Sequence, residues 1–339
     1  MSGVKIGVIG AGYWGPNLIR NFHEIPEFDL QTVVELRQER REHIESRYPG
    51  LNTTADLREL LESDVEAVAI ATNASTHHLL AKKCLQAGKH VLVEKPFACC
   101  ANEARELVTL GKQMGKVVMV GHTFLYNPAV IALKGLVDSG EIGEVYYVNT
   151  TRVNLGLYQA DIDVVWDLAP HDVSILLYVL GAAPVSASAR GGVFARCGKH
   201  DVAYITLYFP DGVMADCRVS WLDPCKIRRV TVVGSKKMVV YDDIEPIEKI
   251  KIYDKGVEVQ PYSDTYEEFH LAYRYGEAVT YPLVWEEPLR AECLHFHDAV
   301  HNGAPVRSDG VHGLKVVQTL ETAHKSLVNG HIQEPIAWE

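Results

Sequence analysis

A strand–turn–helix pattern at the amino terminus constrains the fold most strongly. Val4–Ile9 is a short apolar run typical of a buried strand, and Asn17–His23 has helical periodicity. Between them lie Gly10, Ala11, Gly12, Tyr13, Trp14 and Gly15, which have the spacing G-x-G-x-x-G. In this context the first glycine permits a tight turn, the second lets the backbone approach a pyrophosphate, and the third lets helix and strand pack closely. The pattern therefore predicts a dinucleotide-binding loop.

A second strand is expected at Leu30–Val34 and ends at Glu35. Glu35 follows the last glycine at the ~20-residue separation expected of an acid that holds the adenosine ribose diol. A carboxylate there would repel a 2′-phosphate, which favours NAD. Arg37 leaves NADP open, because a guanidinium at this place can pair with that phosphate. Alternatively, Arg37, Arg40 and Arg41 form a solvated helix face.

The amino-terminal part continues as alternating strands and helices, which predicts a doubly wound parallel sheet, the Rossmann fold, over residues 1–122. The strands are expected at Ala67–Ala71, Val91–Val93 and Val117–Val120, and the helices at His77–Ala87 and Glu103–Gln113. Thr72 and Asn73 follow a strand end, so we expect them to line the cofactor groove. His77 either starts the next helix or contacts the cofactor.

The stretch H-V-L-V-E-K-P-F, residues 90–97, places ionisable groups at a strand end. Its strand delivers Glu94, Lys95 and Pro96 at the carboxyl edge, where ligands bind in open parallel sheets. A lysine is a poor choice for packing there, because a buried ammonium must be paired or shift its pKa. We therefore expect Lys95 to take part in chemistry; the alternative is a lysine that merely pairs with Glu94.

From Glu144 onwards the sequence pattern predicts mainly strands. They are expected at Val145–Asn154, Asp201–Phe209, Val213–Trp221, Ile227–Val233, Met238–Tyr241 and Ile247–Tyr253. Alternating polarity predicts a large, open-faced and mostly antiparallel sheet in an α+β domain, residues 123–339. Two late helical patterns, Leu289–Val300 and Gly313–Leu327, are expected to cover one side of it. The sheet could also carry a homodimer or homotetramer interface.

The segment Trp166–Asp172 leads into an apolar helix expected at Val173–Leu180. Pro170 argues against a regular helix through Asp167, which places His171 in the first turn. A helix amino terminus lowers a histidine pKa and keeps the ring able to accept a proton. Alternatively, Asp167 and Asp172 cap the helix while His171 packs.

Arg152 and Asn154 occupy alternate positions of a strand and are expected to share a face. Together they can bind an anion or a hydroxylated ligand, or they can belong to a solvated sheet surface.

Composition excludes several classes of partner. The net charge of −11 argues against nucleic acid, because phosphate binding needs a basic face. No apolar run approaches the ~18 residues of a membrane span. The seven cysteines are scattered without the spacing of a zinc site, which favours reduced thiols, a cytoplasmic setting and no metal.

Four stretches resemble the glucose-fructose oxidoreductase / inositol dehydrogenase / MocA family. They are G-Y-W-G-P-N-L at 12–18, E-K-P at 94–96, V-G-H at 120–122 and the segment from Asp167 to His171. The resemblance implies a nicotinamide-dependent oxidoreductase of sugars or cyclitols, with a Rossmann domain and an open-faced sheet domain. Three further stretches resemble the branch that oxidises the 3-hydroxyl of UDP-N-acetylglucosamine or its uronic acid: residues 121–128, 166–175 and 220–224.

The resemblance also implies roles for individual residues. Lys95 matches the catalytic lysine, and Asp167 and His171 match the D-x-x-x-H element. The expected cofactor contacts are Gly10, Gly12, Tyr13, Trp14, Gly15, Glu35, Thr72, Asn73, His77, Glu94 and Lys95. The expected substrate contacts are Tyr126, Arg152, Asn154 and His171. The proline that usually follows the third strand of the family is Asn73 here.

These observations leave three functional hypotheses. In the first, a hydride passes between nicotinamide and a ring carbon, C3, of a nucleotide sugar. His171 is then the base and Lys95 stabilises the developing alkoxide, or the two roles are exchanged, and no metal is needed. In the second, the same fold reduces a keto-sugar with NADPH or oxidises a free sugar, cyclitol or glycoside. In the third, the chain is a non-catalytic dinucleotide sensor, which needs only the phosphate loop and Glu35.

Overall fold

The computed structural model describes residues 3–156, 158, 161–195, 198–259 and 271–338 of the 339-residue chain. The chain divides into two compact units. The first comprises Met1–Asn127, Ala160–Ile162 and Glu286–Glu321; the second comprises Pro128–Gln159, Asp163–Trp285 and Thr322–Glu339. The first unit thus contains the predicted dinucleotide-binding segment together with a stretch from near the carboxyl end. The boundary between 122 and 123 stays a prediction.

The first unit is built on a six-stranded sheet in the order β3-β2-β1-β4-β5-β6, in which every neighbouring pair is parallel. Its strands are β1 (Val4–Ile9), β2 (Phe28–Val34), β3 (Asn52–Thr54), β4 (Ala67–Ile70), β5 (His90–Glu94) and β6 (Val118–Gly121). The central strand β4 is buried at all four positions, as expected of a parallel sheet covered on both faces. The predicted doubly wound sheet is confirmed, and its order is that of a dinucleotide-binding fold.

Five helices connect these strands: α1 (Gly15–Glu24), α2 (Gln38–Arg47), α3 (Leu57–Glu62), α4 (Ala74–Gln86) and α5 (Ala101–Met114). Helix α1 starts at the last glycine of the loop, with a proline in its first turn, where a missing N–H costs nothing. Helix α5 ends at Gly115, which has φ +62° and stops the helix in the left-handed conformation.

The described part of the second unit contains a nine-stranded sheet in the order β14-β13-β12-β11-β7-β10-β9-β8-β15. Its strands are β7 (Val145–Val153), β8 (Ser186–Gly192), β9 (Val202–Tyr208), β10 (Met214–Ser220), β11 (Ile227–Gly234), β12 (Met238–Asp242), β13 (Ile250–Val259), β14 (Leu271–Thr280) and β15 (Glu334–Pro335). Strands β7 and β10 pair in parallel, and the other described neighbours pair antiparallel. The predicted mostly antiparallel sheet is confirmed.

Helices α6 (Pro128–Asp138) and α7 (Val164–Leu180) pack against each other, and α7 lies on β7, β9 and β10. Along β7 the buried positions Val148, Thr150 and Arg152 alternate with the exposed Tyr147 and Asn149. The nine-stranded sheet therefore has a covered face and an open face, which is the predicted open-faced arrangement.

Helix α7 begins nine residues earlier than predicted and runs through Pro170. Asp163 is its N-cap, and one carboxylate oxygen accepts hydrogen bonds from the backbone N–H groups of Val165 and Trp166. Pro170 removes only one intrahelical donor, and the buried apolar side chains around it hold the helix on the sheet. His171 consequently lies about two turns into the helix and not in its first turn. The predicted position of His171 in the first turn of this helix is therefore wrong.

The two late helices form near the predicted positions, as α8 (Pro288–Asn302) and α9 (Gly310–Val328). Helix α8 does not cover the nine-stranded sheet. It packs on α1, β1 and the short 3₁₀ turn Thr123–Tyr126, all in the first unit. Among the described residues, no helix is long and apolar enough to cross a membrane.

Candidate active site

The glycine loop at the end of β1 has the geometry that its spacing predicts. Gly10 has φ +98°, and a Cβ there would lie 2.7 Å from the Ala71 carbonyl oxygen. A Cβ at Gly15 would lie 2.1 Å from the Gly10 carbonyl oxygen, so α1 packs tightly under the loop. Gly12 is open, with only the Arg37 guanidinium at 3.8 Å from an added Cβ. The loop therefore fits a pyrophosphate, which would meet the free N–H groups at the start of α1.

Glu35 is buried at the end of β2 and faces the same loop. Its Oε2 accepts a hydrogen bond from the Ala11 N–H at 2.8 Å, and Arg37 Nε donates to its Oε1 at 3.1 Å. Burial raises the pKa of Glu35, but the hydrogen bonds from Arg37 and Ala11 outweigh it, so the pKa lies below its usual value. Glu35 thus stays ionised beside the loop, and Arg37 is already paired with it.

The residues predicted to line the groove divide into exposed and buried ones. Tyr13 and Asn73 are exposed, and Thr72 is half-buried with its hydroxyl 2.7 Å from that of Thr76. His77 is buried instead. Its Nδ1 lies 2.8 Å from the Pro96 carbonyl oxygen and its Nε2 lies 3.1 Å from the Thr72 carbonyl oxygen. His77 therefore links the residues that follow β4 with those that follow β5.

Lys95 follows β5 directly and is half-buried. Its backbone N–H donates to Oε2 of Glu94 at 3.2 Å, and the Lys95–Pro96 peptide bond is cis. Strand β5 is parallel to both of its neighbours, so Lys95 emerges at the edge of the sheet that also carries the glycine loop. The predicted placement of an amine at this edge agrees with the structure.

A cluster of buried polar side chains lies around Glu94, and the sequence did not predict it. The Glu94 carboxyl lies against Gly121, where an added Cβ would be 2.9 Å from the carboxyl carbon. Glu292, from α8, is fully buried, and its Oε2 accepts a hydrogen bond from the Thr123 hydroxyl at 2.8 Å. Two carboxyls therefore share the interior of the first unit.

Burial shifts the pKa values of the acids in this cluster upwards and those of the histidines downwards. It raises the pKa of Glu94 to about 7, although the Lys95 charge and hydrogen bonds from Lys95 and Trp14 act in the other direction. Burial and the charge of Glu94 raise the pKa of Glu292 well above its usual value. His122 and His312 have ring centroids 5.5 Å apart, and burial lowers the pKa of His122 far below its usual value and that of His312 to about 4.

One signal for Glu292 was present in the sequence. Leu289, Glu292, Cys293 and Phe296 have the i, i+3, i+4, i+7 spacing of a buried helix stripe, and all four are buried. A glutamate on such a stripe is unusual, because a charge is rarely buried without a partner. Periodicity could thus have identified an interior acid, but not its neighbour Glu94.

In the second unit, Arg152 and Asp172 form a buried bidentate ion pair. Arg152 Nε lies 2.9 Å from Oδ2 and Nη2 lies 3.2 Å from Oδ1 of Asp172. The structure therefore places Arg152 on the covered face of the sheet under α7, where its guanidinium meets an acid. Asp172 does not cap the helix. Burial raises the pKa of Asp172 even though Arg152 acts to lower it.

Asp167 and His171 are four residues apart on the continuous helix α7, so they share one helix face. Asp167 Oδ2 accepts a hydrogen bond from the Trp221 indole N–H at 3.0 Å, which fixes the carboxylate. Asn154 lies just beyond β7, and its backbone N–H donates to the Ser220 carbonyl at 3.1 Å. Helix α7 thus carries a carboxylate and an imidazole on one face, and Asn154 adds an amide just beyond the end of β7.

Tyr126, a predicted substrate contact, is buried in the first unit. Its hydroxyl lies 2.9 Å from the Ser308 hydroxyl, and the Arg307 guanidinium lies 5.0 Å from its ring centroid. Burial raises the pKa of Tyr126.

The described residues contain no group of three or more His, Cys, Asp or Glu side chains that could hold a metal.

Two family models match the chain. Residues 4–122 match an oxidoreductase family with an NAD-binding Rossmann fold, and residues 130–240 match the GFO/IDH/MocA C-terminal domain. The first match spans all six strands of the parallel sheet, and the second spans β7 to β11 and the start of β12.

Individual relatives cover nearly the whole chain. An oxidoreductase of Magnetospirillum magnetotacticum is 31% identical, with a TM-score of 0.81 over 95% of this chain and 99% of that one. UDP-N-acetylglucosamine 3-dehydrogenase of Acidithiobacillus ferrooxidans is 28% identical over 93% of this chain and 94% of its own, and its structure has a TM-score of 0.81. GenD2 from gentamicin A biosynthesis, solved with NAD, is 25% identical, with a TM-score of 0.83 over 100% and 97% of the two chains.

Proposed function

This chain belongs to the GFO/IDH/MocA oxidoreductase family, and from that premise we propose that it oxidises the 3-hydroxyl of a nucleotide sugar with NAD. UDP-N-acetylglucosamine or its uronic acid is the proposed substrate. The observation that carries the proposal is Lys95, which β5 holds at the sheet edge that also bears the glycine loop. The similarity to UDP-N-acetylglucosamine 3-dehydrogenase over 93% of the chain supports this choice of sugar.

The loop and the acid at the end of β2 support NAD as the cofactor. Gly10, Gly12 and Gly15 would hold the pyrophosphate, and the ionised Glu35 would hold the ribose diol and repel a 2′-phosphate. Arg37 is paired with Glu35, which leaves it less available to a phosphate. When bound, the nicotinamide supplies a hydride acceptor. Exposed Tyr13 and Asn73, with Thr72, would form the walls of the groove.

We assign the proton chemistry to Lys95 and His171. Loss of a hydride from a carbinol carbon requires loss of the hydroxyl proton, so one group must accept the proton while another stabilises negative charge on the oxygen. His171 is the proposed base, and the Lys95 ammonium is the proposed hydrogen-bond donor to the developing alkoxide. Asp167, fixed by Trp221, is on the same helix face as His171 and would orient it or bind a neighbouring hydroxyl.

A substrate panel tests the proposal. The purified protein is incubated with NAD and with UDP-N-acetylglucosamine, its uronic acid, free N-acetylglucosamine, free glucose or myo-inositol, and NADH formation is followed. We expect kcat/KM to be highest for the UDP-linked sugars. A preference for a free sugar or cyclitol would contradict the nucleotide-sugar assignment and would favour an enzyme that oxidises a free sugar or cyclitol. Absence of turnover on every substrate would favour a dinucleotide sensor.

A fluorescence titration with NADH and NADPH tests the cofactor. We expect tighter binding of NADH, and a Glu35→Ser variant that loses this preference. Equal or tighter binding of NADPH by the wild-type protein would contradict the role given to Glu35.

The proposed assembly is a homodimer or homotetramer formed through the open face of the nine-stranded sheet. Tyr147, Tyr204 and Met214 are exposed by 45%, 54% and 47%, and their strand register puts them on this face. Sedimentation of the wild type and of Tyr204→Asp tests this assembly, and a wild-type monomer would contradict it.

We place the enzyme in the cytoplasm, because the six cysteines within the described residues are free thiols.

A further inference from the structure

Trp221 lies where two neighbouring strands of the nine-stranded sheet end. Strands β7 and β10 run parallel, with Val153 opposite Ser220, so Asn154 and Trp221 follow them side by side at the same edge. The Trp221 side chain is only 1% exposed and is one of the largest fully buried side chains in the described part of the protein. A buried indole needs an acceptor for its N–H, so the acceptor shows what the ring is held against.

The acceptor of the Trp221 indole is a carboxylate on helix α7. Nε1–H donates to Oδ2 of Asp167 at 3.0 Å. A hydrogen bond to a carboxylate is stronger than one between neutral groups, and its direction limits the rotation of the carboxylate. Asp167 lies one helical turn before His171, the proposed base. The indole therefore determines where this carboxylate stands on the helix face that carries the base.

The ring of Trp221 also packs against the segment that follows β7. A Cβ added at Gly156 would lie 2.7 Å from Trp221 Cδ1, so the ring occupies the space that a side chain at this position would need. The Gly156 N–H donates to the Trp221 carbonyl at 2.9 Å, and the Asn154 N–H donates to the Ser220 carbonyl at 3.1 Å. The segment that carries Asn154 is thus built on Trp221 and the residue before it.

The backbone of Trp221 is anchored in turn. Its N–H donates to the carbonyl of Asp201 at 2.9 Å. Asp201 is fully buried, and its carboxylate accepts hydrogen bonds from the N–H groups of Phe194 and Ala195. Trp221 is therefore held through its backbone, its ring and its N–H at once, which makes it a rigid spacer between α7 and the end of β7.

We propose that Trp221 is a positioning residue that holds two substrate contacts at a fixed spacing. It holds Asp167 through its indole N–H, and it holds Asn154 through its ring and its backbone. A carboxylate and an amide at a fixed spacing select the polar groups on neighbouring carbons of a sugar ring. This role rests on the proposed function, because Asp167 and Asn154 contact a substrate only under that proposal.

A double-mutant cycle separates this role from that of a tryptophan that only fills the core. We measure kcat/KM with NAD and the best sugar of the substrate panel for wild type, Trp221→Phe, Asp167→Ala and the double variant. Trp221→Phe should lower kcat/KM by about 10–100-fold, because Asp167 loses a donor. In the Asp167→Ala background the same change should cost less than about twofold, because the group on which the indole acts is already absent. The affinity for NADH should be retained in all four proteins.

Trp338→Phe is the matched control. The Trp338 indole N–H donates to the Pro184 carbonyl at 2.8 Å, so this variant loses the same kind of hydrogen bond elsewhere in the second unit. Its kcat/KM should stay within about twofold of wild type. Gly156→Ala displaces the Trp221 ring without removing it, and it takes the place of Trp221→Phe in the cycle if that variant does not fold.

The outcomes distinguish this role from the proposed function. A near-normal kcat/KM of Trp221→Phe, or an equal loss in the wild-type and Asp167→Ala backgrounds, would overturn the positioning role in an enzyme that is otherwise active. Absence of turnover by the wild type on every sugar would reject the proposed function and this role with it. A loss in wild type that disappears in the Asp167→Ala background would support both.

Discussion

Two buried acids, one in each unit, stand next to the proposed catalytic residues and are neutralised in different ways. Asp172 follows His171 on α7 and meets the bidentate guanidinium of Arg152. Glu94 precedes Lys95 at the end of β5 and is buried in the first unit, as is a second acid, Glu292. Burial raises the pKa of both Asp172 and Glu94.

The difference shows how a buried acid can serve either structure or chemistry. A guanidinium is charged at every physiological pH, so the pair with Arg152 fixes α7 on its sheet permanently. Burial raises the pKa of Glu94 to about 7, so the charge on the residue before Lys95 depends on pH near neutrality. We therefore expect Asp172 to matter for stability and Glu94 to matter for pH dependence.

The largest expected effect concerns Lys95. Lys95→Ala should lower kcat by about 10²–10⁴-fold, because it removes the donor that stabilises negative charge on the substrate oxygen. The affinity for NAD, measured by fluorescence titration, should be retained. Lys82→Ala is the matched control, since Lys82 pairs with Glu106 on the surface of the same unit. Near-normal turnover of Lys95→Ala would show that this end of β5 does not carry the chemistry.

The next effect concerns stability in the second unit. Asp172→Ala should lower the free energy of unfolding by about 3–5 kcal/mol, because it leaves the Arg152 guanidinium buried without its carboxylate. Urea denaturation measures this change. Replacing both residues, as Asp172→Leu with Arg152→Met, should recover much of the loss. A decrease in the free energy of unfolding of less than about 1 kcal/mol for Asp172→Ala would mean that this ion pair contributes no more than a solvent-exposed one.

The pH dependence of stability sharpens the contrast between the acids. The pKa of Glu94 is raised from 4.5 to about 7 in the folded protein, so the folded state binds more protons than the unfolded chain between these values. Stability is then lost as pH rises from about 4.5 to about 7. Glu292→Gln should reduce this loss, and Glu106→Gln should not. Melting temperatures measured across that range test it, and identical slopes in wild type and Glu292→Gln would contradict the coupling of the acids.

The smallest effect concerns Arg37, the half-exposed partner of Glu35. Arg37 is half exposed, and Glu35 keeps its hydrogen bond from the Ala11 N–H without it, so Arg37→Ala should change the Kd for NADH by less than about fivefold, or about 1 kcal/mol. Binding of NADPH should stay weaker than that of NADH. A large loss confined to NADPH would identify Arg37 as a phosphate contact and would support NADP.

Sequence patterns predicted the fold of both units well, because hydrophobic periodicity reports directly on burial. The runs Val4–Ile9 and Ala67–Ala71 could only be buried strands, and the glycine spacing required a close turn before a helix. The edge position of Lys95 followed from the parallel order. These features depend on neighbours in sequence.

The parts that failed depend on neighbours in space. Pro170 indicated a break, but packing on the sheet outweighs the loss of one backbone hydrogen bond, so α7 starts at Val164. Arg152 indicated a ligand contact, whereas its partner Asp172 comes from a helix 20 residues later. Glu292 comes to Glu94 only because α8 returns to the first unit, and no local pattern encodes that return.

Transfer of deuterium tests the central claim most directly. UDP-N-acetylglucosamine labelled with deuterium at C3 is incubated with the protein and NAD, and the reduced cofactor is analysed by mass spectrometry. We predict that deuterium appears in the reduced cofactor with the wild-type protein and that Lys95→Ala forms it at least about 100-fold more slowly. Reduced cofactor without deuterium, or no reduction with this substrate, would contradict oxidation at the 3-hydroxyl.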